Sequence, residues 1–134
     1  RATYAAIHHL MGYAARQREE RMSQTVTVNM VLDYPKRALG EMKPEQLSWQ
    51  VIASGINLVY DQKRMKQEEM RKWQRIETAL VDGDGKAMES GEITVEQLEF
   101  LNKTLDQAEW PPAFAQAAPQ VIDLLKALKN GKPE

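Results

Sequence analysis

The run from Pro44 to Val81 contains no further proline and constrains the fold of this 134-residue chain more than any other stretch. Pro44 suits the first turn of a helix because the N–H that it lacks is not needed there. Gly83 and Gly85 follow the run and can take the positive φ angles that end helices. The run therefore predicts one long central helix over residues 44–81, with a length of about 55 Å.

The two halves of this predicted helix differ in polarity. Residues 47–59 are apolar around most of the helix, which indicates burial on more than one side. Residues 61–75 are mostly charged and predict a solvated helical arm that projects from the body of the protein. The apolar residues of the run keep a coiled-coil-like 3–4 spacing, which Lys63 and Lys66 interrupt. The arm carries an apolar seam that is a candidate partner-binding surface, formed by Met65, Met70, Trp73 and Ile76.

Three further segments have helical spacing. Residues 2–22 predict a first helix that ends in a basic, polar face. A third helix, after the central one, is expected to begin at Thr94, because Thr94 and Gln97 form a capping box. Pro119 suits the first turn of a last helix. We therefore expect an all-α fold, a helical bundle built on the long central helix, in one domain over residues 1–134.

One segment, from Thr25 to Leu32, has the alternating polarity of a short β-strand. The chain offers no second convincing strand with which it could pair. The segment is therefore expected either to pair with its symmetry mate in a dimer or to form a helix. The helical surroundings slightly favour the helix, because strand propensity yields to context.

A break at residues 33–35, a short helix at residues 36–42 and the helix from Pro44 follow this segment. Over roughly 35 residues this order resembles the ribbon-helix-helix family of DNA-binding proteins. The sequence departs from the family pattern because its first helix is short and because another helix precedes the strand. The resemblance implies a dimeric two-stranded ribbon in the DNA major groove. The strand residues that would read the DNA are Thr25, Thr27 and Asn29.

No catalytic residue, metal site or cofactor is expected. The absence of cysteine excludes thiolate catalysis and disulfides and fits a reducing, cytoplasmic compartment. His8 and His9 are adjacent and on a helix would point about 100° apart, so they do not chelate one metal together. Residues 82–92 lack the ligand spacing of a calcium loop and are expected to form a surface turn.

No membrane span is expected either. The longest mostly apolar stretch, residues 51–60, is about half as long as a helix that spans a bilayer. The chain starts at Arg1 rather than at methionine, and its first residues lack the apolar core of a signal peptide. This start is compatible with a fragment of a longer protein.

Charge is distributed unevenly, although the formal net charge is only −1. Residues 1–76 hold 13 Lys/Arg against 8 Asp/Glu, whereas residues 77–109 hold 2 against 9. This asymmetry favours attraction between packed helices or subunits, and the alternative is a basic surface for nucleic acid. The candidate nucleic-acid-binding residues are Arg16, Arg18, Arg21, Lys63, Arg64, Arg71 and Lys72.

These patterns predict a non-enzymatic protein–protein interaction module. An apolar seam on a projecting arm generally needs a partner, so we expect a homo-oligomer or a subunit or assembly factor of a larger complex. The alternative is a DNA-binding regulator or a virus-type DNA-packaging or assembly factor. Such a protein would use a basic helical face or a ribbon-helix-helix-like dimer, and the viral role rests on analogy alone.

Overall fold

A computed structural model describes residues 16–18, 20–60 and 64–129 of the chain. These residues are mostly helical and include one two-stranded sheet, which confirms the predicted class at this level. Residues 16–18 and 20–23 are helical and form the part of α1 that is described. The other elements are β1 (Thr25–Asn29), α2 (Lys36–Leu39), α3 (Pro44–Tyr60), α4 (Gln67–Leu80), β2 (Ser90–Thr94), α5 (Val95–Gln107), a 3-10 helix (Pro112–Phe114) and α6 (Ala117–Lys129).

The segment with alternating polarity is a strand over Thr25–Asn29, and the chain does contain a second strand with which it pairs. β1 pairs antiparallel with β2, and Thr25 lies opposite Thr94 at one end of the ladder. Val28 and Ile93 point from the two strands into the core, where each is 1% exposed. The expectation of a helix in this segment is therefore wrong, and so is the expectation that the strand pairs with its symmetry mate in a ribbon.

The central helix is not continuous, so the prediction of one helix over residues 44–81 is also wrong. α3 ends at Tyr60, residues 64–66 are not helical, and α4 begins at Gln67. The Glu69 carboxylate accepts one hydrogen bond from the backbone N–H of Lys66, at 3.1 Å, and another from the Tyr60 hydroxyl, at 2.5 Å. Glu69 therefore caps the start of α4 and joins it to the end of α3.

α4 packs on the body of the protein and is not a projecting arm. It contacts β2 and α5, and its residues Ile76 and Leu80 are both fully buried. The Trp73 ring stacks on that of Trp49 in α3, with ring centroids 5.4 Å apart and planes 4° from parallel. Burial of Ile76 and Leu80 stabilises the fold by about 1.5–3 kcal/mol for each side chain. If α3 continued straight through this segment, these side chains would remain exposed and this stabilisation would be lost.

α5 lies at the centre of the core and contacts α3, α4 and α6. It begins as predicted: the Thr94 hydroxyl accepts from the Gln97 N–H, and the Gln97 side chain accepts from the Thr94 N–H. Its Asn102 is 4% exposed and donates to the Leu125 carbonyl at 3.1 Å, which ties α5 to α6. The buried amide is therefore satisfied across a helix interface, as buried polar groups require.

A further set of buried hydrogen bonds holds the segment after β1 against α3. The Ser48 hydroxyl donates to the Met30 carbonyl at 2.7 Å. The Tyr34 hydroxyl lies 2.6 Å from the Ser48 oxygen and is the donor, because the single Ser48 proton is already used. Burial raises the pKa of Tyr34 above its usual value, so this phenol remains neutral and keeps its hydrogen bond at ordinary pH.

Candidate functional site

The outer face of α4 carries a shallow groove of about 400 Å³, which we call the α4 groove. Met70 lies in it with 55% of its surface exposed, while Val31 and Leu58, the other exposed large apolar side chains of the described residues, are 42% and 40% exposed. The positions of the lining residues follow helical spacing along a single face of α4. The residues that line the groove are Gln67, Met70, Arg71, Trp73, Gln74 and Glu77.

The structure separates the predicted apolar seam into exposed and buried parts. Met70 is exposed, and Trp73 is half-buried because one ring face is covered by Trp49. Met65 is half-buried against the core and lies outside the α4 groove. The prediction that Ile76 lies on an exposed seam is wrong. Ile76 is fully buried and faces the core, because α4 folds back onto β2 and α5.

A larger cleft, of about 870 Å³, lies between the end of α1, α4 and the start of α5. We call it the arginine cleft, because Arg18 reaches it from α1 and Arg71 and Arg75 reach it from α4. Lys72 also lines it and forms an ion pair with Glu96 of α5, with 3.3 Å between Nζ and Oε1. Glu68 is the other acidic residue of the lining.

The structure brings together some of the predicted basic residues and leaves others apart. Arg18, Arg71 and Lys72 meet at the arginine cleft. Arg16, Arg21 and Arg64 are exposed and line neither this cleft nor the α4 groove. Lys63 lies outside the described residues.

Sequence reasoning did not single out Arg75, Gln74 or Glu77. Arg75 follows Arg71 by four residues, so both lie on one side of α4, and this spacing was the signal available in the sequence. Gln74 and Glu77 continue the 67–70–74–77 spacing of the α4 groove in the same way. That these positions face outward depends on how α4 packs, which the sequence pattern does not specify.

The joint between α3 and α4 contains the strongest electrostatic perturbation among the described residues. Burial raises the pKa of Tyr60 to about 12, and the hydrogen bond to Glu69 and the charge of that carboxylate act in the same direction. The bond from Tyr60 also lowers the pKa of Glu69, and the Lys66 N–H adds to this effect. A neutral phenol that donates to a charged carboxylate is therefore stable at ordinary pH and serves as a structural joint.

The described part of the chain contains neither a metal-binding cluster nor a membrane-spanning helix. No cluster of three or more His, Asp or Glu residues there is arranged to hold a metal ion. None of the described helices has both the length and the apolar character needed to cross a membrane. The α4 groove and the arginine cleft are therefore the surfaces on which the functional argument rests.

No protein-family model matches this sequence, no curated protein is significantly similar to it, and no solved structure resembles it significantly. The function must therefore be argued from the geometry of these two surfaces.

Proposed function

We propose that this chain is a protein–protein association module that pairs with a second copy of itself through the α4 groove. The observation that carries the proposal is the position of Met70, an apolar side chain 55% exposed on the outer face of α4, between polar and charged residues. An exposed methionine beside the edge of a tryptophan is typical of a protein contact surface. The proposal assigns no chemical reaction to the chain.

Charge placement supports a second copy as the occupant. Arg71 and Glu77 lie three residues to either side of Gln74 on α4, and both line the groove. If two copies of α4 cross antiparallel with Gln74 at a two-fold axis, Arg71 lies opposite Glu77 of the second copy, and the reverse pair also forms. Such an isologous contact is the commonest symmetry of homo-oligomers.

In a single copy, the side chains of Arg71 and Glu77 are available for that contact. Neither Arg71 nor Glu77 forms a side-chain hydrogen bond or an ion pair with any residue that the structure describes. Their pairing across the axis fixes the orientation of the two helices. Burial of the exposed half of Met70 supplies apolar free energy of about 1–1.5 kcal/mol for each copy. Because one helix face is smaller than a standard interface, we expect a weak and reversible dimer.

The experiment is a charge placed in the groove. Met70→Glu should lower the mass that light scattering reports at high protein concentration, because a desolvated, unpaired carboxylate is costly. Val31→Glu and Leu58→Glu are matched controls, since they make the same change at exposed apolar residues away from α4. We expect both controls to assemble as the wild-type chain does, and equal loss in all three variants would contradict the proposal.

A further inference from the structure

Three of the four cationic side chains that line the arginine cleft have no ion-pair partner among the described residues. Lys72 is paired with Glu96, so these two charges offset each other. Arg18, Arg71 and Arg75 have no ion pair or hydrogen bond with residues in the described ranges. Against these three guanidinium groups, the part of the lining that the structure describes offers one further carboxylate, that of Glu68. The cleft therefore has a surplus of positive charge that favours an anionic ligand.

The arginines are spread along the cleft and do not converge on one point. Arg71 and Arg75 lie on successive turns of α4, about 6 Å apart along the helix axis, and Arg18 approaches from α1. A second cleft of about 560 Å³ shares Arg18 with the first, but among the described residues three carboxylates, those of Glu69, Glu96 and Glu99, line it beside four cations. The surplus of positive charge therefore lies along the arginine cleft itself, where the spread of the cations suits a chain of phosphates better than a single anion.

We propose that the arginine cleft binds the phosphate backbone of single-stranded nucleic acid. Guanidinium groups are suited to this because they bind phosphate oxygens in a bidentate manner. Because the cleft is recessed between helices, it admits one strand more readily than the convex surface of a duplex. Among the described residues of its lining, Met22 is the only large apolar side chain and none is aromatic. Binding is therefore expected to depend on the backbone and not on the base sequence.

The start of α5 also faces the cleft, but it is not the source of the proposed affinity. Thr94 and Gln97 satisfy each other's N–H groups, and Glu96 already places a negative charge in the first turn. In the second cleft, Glu69 is occupied by Tyr60 and Lys66. Arg71 is shared with the α4 groove, where the proposed dimer pairs it with Glu77, so the test is directed at Arg18 and Arg75.

The test uses a fluorescently labelled, mixed-sequence single-stranded oligonucleotide and the whole chain, with binding measured by anisotropy over a range of salt concentrations. The double variant Arg18→Gln with Arg75→Gln removes two cations from the cleft and leaves Arg71, which also lines the α4 groove. Its slope of log affinity against log salt should be shallower by about 1.4 than that of the wild-type chain. Lys36→Gln with Lys86→Gln removes the same charge at exposed positions outside the cleft and should leave the slope unchanged.

Three results would overturn the proposal. One is a wild-type chain that does not bind the oligonucleotide at low salt. Another is a control pair that flattens the salt slope as much as the cleft pair does. The third is equal affinity for poly-glutamate of similar length, because a general acidic-peptide surface would then account for the binding. Oligonucleotide binding that exceeds poly-glutamate binding and depends on Arg18 and Arg75 supports the proposal.

Discussion

The hydrogen bond from Tyr60 to Glu69 joins α3 to α4 and has a definite pH window. The pKa of Tyr60 is raised to about 12 from the usual 10.0, so its contribution to stability is complete below pH 10 and is lost as the pH rises towards about 12. The pKa of Glu69 is lowered from 4.5, so its contribution is present above pH 4.5 and is lost in more acidic solution as the carboxylate becomes protonated. The joint is therefore intact across neutral pH.

We expect Glu69→Gln to lower the pKa of Tyr60 towards 10.0, because the negative charge beside the phenol is removed while its burial remains. Ultraviolet titration of tyrosinate measures this pKa when the same titration of Tyr60→Phe is subtracted. Glu68→Gln is the matched control, since it removes a neighbouring exposed carboxylate that does not contact Tyr60. If the two glutamine variants give the same pKa for Tyr60, then Tyr60 does not donate a hydrogen bond to Glu69.

At the scale of elements, the packing of β2 against α4 can be tested with one methyl group. A Cβ atom on Gly91 would collide with the backbone carbonyl oxygen of Ala79 and would lie 2.9 Å from the Leu80 Cδ2 atom. Gly91→Ala should therefore lower the free energy of unfolding by about 1–3 kcal/mol, measured by urea denaturation. Gly83→Ala is the control, because no atom lies within 4 Å of its Cβ position, and it should be neutral or slightly stabilising. Equal effects would contradict this packing.

Elements with local signals were predictable from the sequence. The capping box of Thr94 and Gln97 depends on four adjacent residues, so the start of α5 was predicted correctly. The alternation of Thr25 to Asn29 indicated a strand, which β1 is, but the helical surroundings led us to favour a helix slightly in this segment. In both cases the determining interactions lie within the segment itself.

Elements that depend on distant contacts were not predictable in the same way. β2 has the sequence SGEIT, in which only Ile93 is buried, so its strand character comes from pairing with β1 across more than sixty residues. The break before α4 has no glycine or proline to mark it. It depends on burial of Ile76 and Leu80 and on the stack of Trp73 with Trp49, which are tertiary contacts. Local helix propensity therefore predicts one helix, whereas tertiary packing divides the segment into α3 and α4.

For the molecule as a whole, the sequence indicated some of the residues in the candidate sites but did not indicate which of them come together on one surface. Composition and spacing identified Met70, Trp73, Arg71 and Lys72, but not Arg75. The meeting of Arg18 with Arg71 and Arg75 required α1 and α4 to lie beside each other, which no local pattern specifies. Arg71 lines both the α4 groove and the arginine cleft. The test of nucleic-acid binding therefore changes Arg18 and Arg75 and leaves Arg71 in place.

Sedimentation equilibrium of a charge-exchange series can establish whether α4 associates antiparallel with a second copy of itself. Arg71→Glu and Glu77→Arg should each shift the chain towards monomer, because each puts like charges opposite each other across the two-fold axis. The double variant restores opposite charges at both positions and should recover the wild-type dimer. A wild-type chain that remains monomeric at every concentration, or a double variant no better than the single variants, would contradict the claim.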